Sequence, residues 1–516
     1  MSSAPIIGQL PVPLPTRSCW QSEQSNGLDN HQGIEHLPAY CDILIIGGGY
    51  AGVATAYHLL KKSAAAGQDK PRVLLLEARE ACSGATGRNG GHLRPDITNM
   101  PVLLSERYGS QAAAAVAQFE MDHLGAIARL VEEEDLECSL TEAASFEVFT
   151  TPEQVVAAQK RLDTLRAQPA FAGLLAEAAV EFHSGEDAPA RTGVKDAKAW
   201  FSSRAAHLSP YQLTLGLLAR ALELGLCLKT HTPVLSIFEA DADGVGKARK
   251  EGNGTGEGSS SRAKKCKYRI KTPQGDVTAA KVVVATNAYT SALLPEYAPA
   301  IVPCRGLACR ISSPTPLPSL PTSSLCTRVQ GQGGDLSPGY NYIIQRGDGT
   351  LVVGGAHHTY KQQDLASWYG NADDAGVIEP ARSYYCDCDP SESGSSGGGG
   401  GGFAARTFVG WDEVPTRVDH VWTGIMGYSA DSLPHVGPVP GRGDGVFILA
   451  GFHGHGMPVA YLAAKGVAEM VSEGKTYEQT GLPALYRASQ QRLVPRYDDI
   501  LGGRKRQTNG SKTEPQ

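Results

Sequence analysis

Short apolar runs and helical spacing alternate in the first part of the chain. Asp42–Ile46 and Val73–Glu77 are short and mostly apolar, which is the pattern of strands buried on both faces of a parallel sheet. Ala51–Lys62, which lies between them, has apolar residues at helical spacing. Residues 40–100 therefore predict a strand–helix–strand unit with two parallel strands.

Helical patterns dominate residues 100–205, and strand-like runs return further along the chain. Ala112–Glu133 and Tyr211–Leu226 predict helices, and a last helix is predicted over Pro458–Ser472. The predicted strands of this part are His231–Glu239, Tyr268–Thr272, Lys281–Ala285, Tyr340–Gln345, Thr350–Gly354 and Val446–Ala450.

Four segments have no apolar pattern that could pack. Residues 1–39 are rich in Pro, Ser and Gln and predict an extended arm, with Trp20 as an anchor on the core. Residues 241–262 and 392–402 predict flexible inserts and contain six and seven of the 60 glycines. The polar tail after about residue 504 is expected to be disordered.

Composition narrows the class of protein. The 516 residues are 41% hydrophobic and 19% charged, with a net charge of -6, so nothing in the bulk charge favours nucleic acid or an anionic membrane. The 11 cysteines are scattered and odd in number, which argues against a disulfide framework. No secretory signal and no membrane-spanning run is visible, so we expect a soluble, cytoplasmic protein without nucleic-acid or membrane partners.

The turn Gly47-Gly48-Gly49-Tyr50-Ala51-Gly52 fits the dinucleotide pattern G-x-G-x-x-G, with a strand before it and a helix after it. Gly47 permits the tight turn, Gly49 lets the backbone approach a pyrophosphate, and Gly52 lets the helix pack close to the strand. The free N–H groups of the helix start attract phosphate. Glu77 would accept hydrogen bonds from the ribose hydroxyls and disfavours a 2′-phosphate, which argues against NADP.

A second loop of small residues, Cys82–His92, follows the second strand almost at once. Such a loop suits the second half of a larger dinucleotide, which favours FAD over NAD, and a mobile surface loop is the alternative. The chain contains one strand–GxGxxG–helix unit, whereas enzymes that reduce a flavin with NAD(P)H usually have a second nucleotide site. We therefore expect the electrons to come from an organic substrate.

The motifs together resemble the D-amino-acid-oxidase-like family of FAD-dependent oxidoreductases, over about residues 40–475. The resemblance is nearest to the gamma-glutamylputrescine oxidoreductase-like members. The motifs that carry it are Gly47–Gly52, Glu77-Ala78-Arg79, Gly84-Ala85-Thr86-Gly87-Arg88-Asn89-Gly90-Gly91-His92, Ala285-Thr286-Asn287-Ala288 and Gly451-Phe452-His453-Gly454-His455-Gly456-Met457.

The resemblance implies an α/β fold. A Rossmann-like FAD-binding domain would comprise residues 40–100, 206–299 and 421–475. An interleaved α+β substrate domain, built on an antiparallel sheet, would comprise residues 101–205 and 300–420. Residues 476–516 would form a C-terminal extension and tail.

The resemblance also implies where FAD binds. Val234 would contact the adenine, Thr286 would border the cofactor, and the helix after residue 456 would face the flavin. The expected cofactor contacts are Gly47, Gly49, Gly52, Glu77, Arg79, Thr86, Arg88, Asn89, Gly90, Gly91, Val234, Thr286, Gly451, His453, Gly454, His455, Gly456 and Met457. Residues 422–431 lack the cysteine to which sarcosine-oxidase-like members attach FAD, so we expect non-covalent binding. No metal is expected, because the His453–His455 pair has no evident third ligand.

In this family a hydride moves from the carbon beside an amine nitrogen to the flavin N5, and the imine is hydrolysed. His92, Tyr342 and His455 are the expected catalytic residues, chosen from a set that also includes Tyr340, Tyr428, His435 and His453. The strand Thr350–His358 lacks the lysine with which related oxidases activate oxygen. The final electron acceptor is therefore expected to be either oxygen or another acceptor. No arginine is clearly placed for a substrate carboxylate, since the directions of Arg305 and Arg310 are unreadable.

The leading hypothesis is therefore oxidation of a C–N bond in a small amine or amino acid. The alternative keeps the flavin but assigns a larger C–N or C–O substrate in a fungal secondary-metabolite pathway. A flavin-binding protein without enzymatic activity is a third reading.

Overall fold

The computed structural model describes residues 8–24, 27–31, 33, 35–65, 70–239, 267–329, 339–386 and 402–501. The two predicted inserts, apart from Gly402, and the tail after residue 504 lie outside the described residues.

Seventeen strands occur within the described ranges. They are β1 Tyr40–Ile46, β2 Val73–Leu76, β3 His92–Leu93, β4 Thr141–Phe149, β5 Glu181–Ser184, β6 Ala199–His207, β7 Cys227–Lys229, β8 Ser236–Glu239, β9 Tyr268–Thr272, β10 Gly275–Val284, β11 Ile301–Ser312, β12 Ser324–Val329, β13 Gly339–Gln345, β14 Leu351–Gly355, β15 Arg417–Ser429, β16 His435–Pro438 and β17 Val446–Ala450.

The α-helices of the same ranges include five long ones and several of four to nine residues. They are α1 Cys19–Glu23, α2 Tyr50–Ala65, α3 Met100–Tyr108, α4 Ser110–Glu133, α5 Pro152–Arg166, α6 Ala172–Glu177, α7 Ala188–Thr192, α8 Pro210–Glu223, α9 Thr290–Leu293, α10 Glu379–Cys386, α11 Phe403–Thr407, α12 Ala460–Glu473 and α13 Gln490–Leu493.

The first sheet has the strand order β16-β17-β10-β1-β2-β7, and β8 and β9 extend it from the first half of β10. The strands β17, β10, β1, β2 and β7 are parallel. Ile46 at the end of β1 lies opposite Leu76 of β2 and Val284 of β10. The carboxyl ends of these strands therefore share one edge, which is where open α/β sheets bind ligands.

Both faces of this sheet are covered, which explains the short apolar runs in the sequence. Ile43 and Ile45 of β1 pack into one core with the helices α2, α8 and α12. Leu44 and Ile46, which point the other way, pack into a second core with β8, β9 and the segment around Tyr297. Because successive side chains of a strand alternate between faces, both sets have to be apolar.

The second sheet has the order β15-β11-β14-β13-β12-β4-β6-β3, with β5 beside β6. All its pairs are antiparallel except β12 with β4. One end of it reaches the first sheet, because β3 directly follows the loop after β2, residues 82–91, and His92 of β3 pairs with His207 of β6.

The expectations about individual elements were borne out only in part. Residues 100–205 are helical over more than half of their length, as predicted, but they also contain β4, β5 and β6, and β4 pairs with β12, which lies far away in the sequence. The boundary expected at residue 421 falls inside β15, which pairs with β11 from Arg417 to Ser429 and so belongs to the second sheet. Long-range pairing of this kind leaves no local signal.

Two helix and strand starts also differ from the expected ones. The strand predicted from His231 begins only at Ser236. The N–H groups of His231 and Thr232 instead donate to the carbonyls of Arg79 and Glu77, which holds this segment at the edge of the first sheet. The last helix begins at Ala460, so Pro458 precedes it rather than lying in its first turn.

Candidate active site

A cavity of about 900 Å³ runs from the shared edge of the first sheet to the second sheet. Its walls come from the turns after β1, β2, β10 and β17 and from the strands β12 and β13. The predicted site residues that line it are Gly47, Gly49, Glu77, Arg79, Thr86, Arg88, Asn89, Gly90, His92, Val234, Thr286, Tyr342, His453, Gly454, His455, Gly456 and Met457. Gly52, Gly91 and Gly451 do not line it.

The turn after β1 has the geometry that its glycines predict. Gly47 has a φ of 110°, in the left-handed region, and its N–H donates to the Leu76 carbonyl at 2.9 Å. A Cβ on Gly52 would overlap the carbonyl oxygen of Gly47, so Gly52 allows the close packing of α2 on β1. A Cβ on Gly49 would lie 3.1 Å from the Thr86 hydroxyl and would otherwise point into open space. Gly49 therefore leaves room for a ligand, whereas Gly52 leaves room for the protein.

Glu77 lies beside this turn. One carboxylate oxygen accepts the Gly48 N–H at 2.6 Å, and the other accepts the Arg79 N–H at 2.9 Å. Since a carboxylate has about four acceptor positions, it can still bind two hydroxyl groups.

The loop after β2 joins the two ends of the cavity. The Thr86 hydroxyl accepts the Tyr50 N–H at 3.0 Å, at the start of α2. The Asn89 side chain closes the loop on itself by donating to the Thr86 carbonyl and accepting from the Gly91 N–H. A Cβ on Gly90 would lie 2.6 Å from the Tyr342 ring of the second sheet. The loop therefore contacts both sheets within a few residues.

The turn after β17 is held by a residue that the sequence analysis quoted in a motif but did not select as a site residue. The Asn287 side-chain oxygen accepts the N–H groups of Gly451 at 3.0 Å and Phe452 at 3.2 Å. The His453 ring contacts the Ser429 carbonyl at 3.0 Å and stacks on Tyr428, with ring centroids 4.5 Å apart. Burial lowers the pKa of His453 to about 4, so this ring is neutral at pH 7.

His455 is paired with a carboxylate of α4. Its Nε2 lies 2.9 Å from Glu120, which also accepts the Asp96 N–H at 2.8 Å. Burial favours the neutral imidazole, but the Glu120 carboxylate outweighs burial and raises the pKa of His455.

His92 and Tyr342 meet at the end of the cavity that β12 and β13 of the second sheet form. Their rings pack edge to face with centroids 5.8 Å apart. The His92 Nδ1 lies 3.2 Å from the Ser324 hydroxyl, and its buried Nε2 has no partner among the described residues. Burial, with Arg94 and His207 nearby, lowers the pKa of His92 to about 3. His92 is therefore a neutral ring with one unused nitrogen. Tyr340 also lines the cavity, whereas Tyr428 and His435 do not.

Two arginines that the sequence analysis missed line the same end. Arg328 donates to Glu147 at 2.8 Å, and Arg94 lies 3.5 Å from the other Glu147 oxygen. Arg161 lies 3.5 Å from Glu147 behind them. Burial would raise the pKa of Glu147, but the three guanidinium groups lower it to about 2. Glu147 thus faces three guanidinium groups. Asp96, which lines the same cavity and acts on Arg94, adds a second negative charge, so the group keeps one positive charge in excess.

Arg305 and Arg310, the two arginines considered from the sequence, point elsewhere. Arg305 donates to the carbonyls of Ser367 and Gly376, and Arg310 pairs with Asp419 and Glu23. The signal that could have identified Arg94 is its spacing, because it lies two residues after His92, and alternate residues of an extended segment share a face.

The family described as FAD dependent oxidoreductase, or DAO, matches residues 42–470 of this chain. The chain belongs to the DAO family. The Escherichia coli (strain K12) gamma-glutamylputrescine oxidoreductase is 22% identical over 434 residues, which cover 84% of this chain and 83% of that protein. The expected family and FAD as the cofactor are confirmed.

Solved structures of other oxidoreductases share the fold of this DAO enzyme. Glycine oxidase from Geobacillus kaustophilus superposes with a TM-score of 0.59 at 21% identity, over 88% of this chain and 99% of that one. L-proline dehydrogenase from P. horikoshii superposes with a TM-score of 0.57 at 17% identity, over 85% and 95%. They confirm the α/β fold class with a Rossmann-like FAD-binding domain.

The cavity of this DAO enzyme fits the pyrophosphate of FAD. Arg79 lies 3.0 Å and Arg88 3.6 Å from the buried carboxylate of Asp374. The Arg79 Nε and one terminal Arg88 nitrogen are buried N–H donors without a partner among the described residues. Such donors suit phosphate oxygens. Much of the hydrogen bonding of both arginines nevertheless goes to the protein, for example from Arg88 to the Thr423 carbonyl at 2.8 Å.

In the part of the DAO enzyme that the structure describes, no three His, Cys, Asp or Glu side chains come close enough together to hold a metal ion. None of the helices in that part is long and apolar enough to cross a membrane.

Proposed function

We propose that this enzyme oxidises the C–N bond of a small amine that carries a carboxylate group. When bound, FAD supplies the acceptor of the hydride. The substrate carbon beside the nitrogen loses the hydride and the nitrogen loses a proton, which leaves an imine. Water converts the imine to a carbonyl compound and an amine or ammonia, and the two electrons pass finally to oxygen or to another acceptor.

The observation that carries this proposal is the excess positive charge on Arg94, Arg328 and Arg161. Arginine binds carboxylates through two parallel hydrogen bonds, and a buried cation without a counter-ion is costly. A substrate carboxylate supplies that counter-ion and leaves the amine end free to reach the cofactor. Simple diamines lack such a group and would add positive charge to an already positive end.

His92 and Tyr342 are proposed to contact the substrate amine. An amine gives up a hydride only when its nitrogen is neutral, so the ammonium form has to lose a proton first. His92 is neutral, and its Nε2 has an unused lone pair that can accept a hydrogen bond from the amine. The Tyr342 hydroxyl would position the same end, and burial raises its pKa, so it stays protonated.

The cofactor is proposed to lie non-covalently along the edge of the first sheet. The backbone at Gly47 and Gly49 would approach the pyrophosphate, with Glu77 at the ribose and Val234 at the adenine. The turn from Gly451 to Met457 would border the flavin, with His455 held there by Glu120.

The size of the cavity does not favour the alternative of a large secondary metabolite. Pockets of about 300–1,000 Å³ enclose one drug-sized ligand. A cavity of about 900 Å³ that also holds FAD leaves space for a small substrate only.

The test is anaerobic bleaching of the flavin absorbance by a panel of substrates, followed by readmission of oxygen. We expect amino acids or other carboxylate-bearing amines to bleach the flavin, and the matching amines without the carboxylate to be far slower. Recovery of the absorbance in oxygen would identify oxygen as the acceptor. Bleaching by simple diamines at equal rates would contradict the carboxylate assignment.

A further inference from the structure

We propose that the N-terminal arm, residues 8–18, forms the outer wall of the FAD site and holds the adenosine half of the cofactor in place. The arm begins beside α9, where Gly8 packs against the backbone of Ser291 and Ala292. It ends at the loop after β2, where the Ser18 hydroxyl donates to the Gly87 carbonyl at 2.6 Å. The arm thus crosses the cofactor end of the cavity from one side to the other.

Thr16 anchors the arm to Asp374, to the loop after β2 and to β15 of the second sheet. Its N–H donates to the Asp374 carbonyl at 2.7 Å, and its hydroxyl donates to the same oxygen at 2.9 Å. The hydroxyl also accepts from Arg88 at 3.2 Å and from the Thr423 N–H at 3.0 Å. Beyond Thr16, the buried Trp20 donates to the Asn89 carbonyl at 2.9 Å. One end of the arm is therefore tied to the residues that shape the cofactor loop.

The middle of the arm faces the cavity. Leu10 and Pro11 line the wall, and the Val12 carbonyl accepts from Arg79 at 3.2 Å. The middle of the arm contains three prolines, Pro11, Pro13 and Pro15, which lack an N–H and favour an extended backbone. This segment therefore loses little conformational entropy when it packs in an extended form against the cavity. The sequence is suited to cover a ligand without forming a strand or a helix.

These contacts place the arm beside the ribose and the pyrophosphate of the adenosine half. Arg79 lies two residues after Glu77, the proposed ribose ligand, and α9 follows Thr286, the residue proposed to border FAD. A dinucleotide at this edge lies between Glu77 on one side and Leu10 with Pro11 on the other. Release of the cofactor therefore requires the arm to lift from Arg79 and α9. This inference rests on the proposed position of FAD and is independent of the substrate.

The experiment measures the affinities of three nucleotides for apoprotein of the full chain and of a variant that lacks residues 1–12. The variant keeps Thr16, Ser18 and Trp20. We expect FAD to dissociate about tenfold faster from the variant, and ADP to bind about tenfold more weakly, because hydrogen bonds and apolar cover are lost. FMN has no adenosine, so its affinity should be unchanged. Unchanged FAD release, or equal losses for FMN and ADP, would overturn the proposal.

Two point variants of the full chain guard against misfolding of the deletion variant. Thr16→Val keeps the shape but removes the hydroxyl bonds, and it should accelerate FAD release by about threefold. Leu14→Ser is the control, since Leu14 is 83% exposed and should leave release unchanged. Equal release rates for Thr16→Val and the wild type would contradict the anchor. Flavin fluorescence reports release without any substrate, so a failure of the substrate proposal leaves this result interpretable.

Discussion

The two ends of the cavity use different chemical groups: mainly backbone at the cofactor end and mainly side chains at the substrate end. At the cofactor end, the turns after β1, β2 and β17 present glycines and backbone N–H groups at one edge of a parallel sheet. At the substrate end, β12, β13 and the segment after β3 present charged and aromatic side chains from a mostly antiparallel sheet. The cofactor end depends on the space that glycines leave, whereas the substrate end depends on the balance between the charges of the arginines and of Glu147. Substitutions at the two ends should therefore affect separate properties, namely cofactor affinity and substrate turnover.

The largest expected effect is that of Gly49→Val, which should weaken FAD binding by about a hundredfold or more. Its side chain would enter the space that Gly49 leaves open, and among the described residues Thr86 is the one that lies within 4 Å of the Cβ position. The apoprotein should therefore keep its thermal unfolding transition, while the purified protein lacks the flavin absorbance. Gly173→Ala is the matched control, because in the described part of the chain that Cβ position has no contact within 4 Å beyond its own helix backbone and chain neighbours. Full flavin occupancy in the Gly49 variant would refute the cofactor position.

At the other end, Arg94→Met should lower kcat/KM for carboxylate-bearing amines by about a hundredfold, or about 2.7 kcal/mol, and leave FAD affinity unchanged. The variant removes a donor to the substrate carboxylate and part of the excess charge. Steady-state kinetics and flavin titration measure the two properties separately. Arg310→Met, outside the cavity, should leave KM unchanged. If Arg94→Met weakens FAD as much as turnover, the two ends are not separable.

Asn287→Ala should weaken FAD binding by about tenfold, because Asn287 lines the cavity and also holds the turn after β17. It removes the acceptor of two backbone N–H groups, those of Gly451 and Phe452. Titration of the apoprotein with FAD measures the loss. Gln159→Ala, at a partly exposed position on α5 outside the cavity, is the control. An unchanged affinity would show that the turn keeps its shape without Asn287.

The smallest expected effect is a change in how stability depends on pH. Glu120 raises the pKa of His455 above its usual value of about 6.5, so their interaction is complete below that pH and fades as pH rises through the raised pKa. Glu120→Gln removes the charge of the partner. The Tm difference between wild type and variant should be largest near pH 6 and should shrink towards pH 9. A constant difference across this range would contradict the assignment of the charge to His455.

The sequence allowed the cofactor end to be predicted much better than the substrate end. Gly47, Gly52 and Glu77 are close together in the sequence, and their spacing alone fixes a turn between a strand and a helix. Arg94 and Arg328 are 234 positions apart and meet at Glu147 only because β12 pairs with β4. No local pattern contains that pairing. The arginine cluster around Glu147 could therefore be identified only from the strand pairing of the second sheet.

The expectations that differ from the structure have the same origin. Arg79 and Arg88 were assigned to the cofactor from their motifs, yet both also hold Asp374, a residue that lies almost 300 positions away. β15 was divided between two domains because its pairing with β11 cannot be read from its residues. Local rules identify turns and helix starts, but the partners of a charge or of a strand are set by the fold as a whole.

The loop after β2 also fixes a length. Thr86 is bonded to the start of α2, and Gly90, four residues later, touches the Tyr342 ring of the second sheet. Four residues extend over about 14 Å at most. The loop therefore limits the distance between the two ends of the cavity. Movement of one sheet against the other would change the width of the entrance, whereas the distance between cofactor and substrate is limited by the covalent length of the loop.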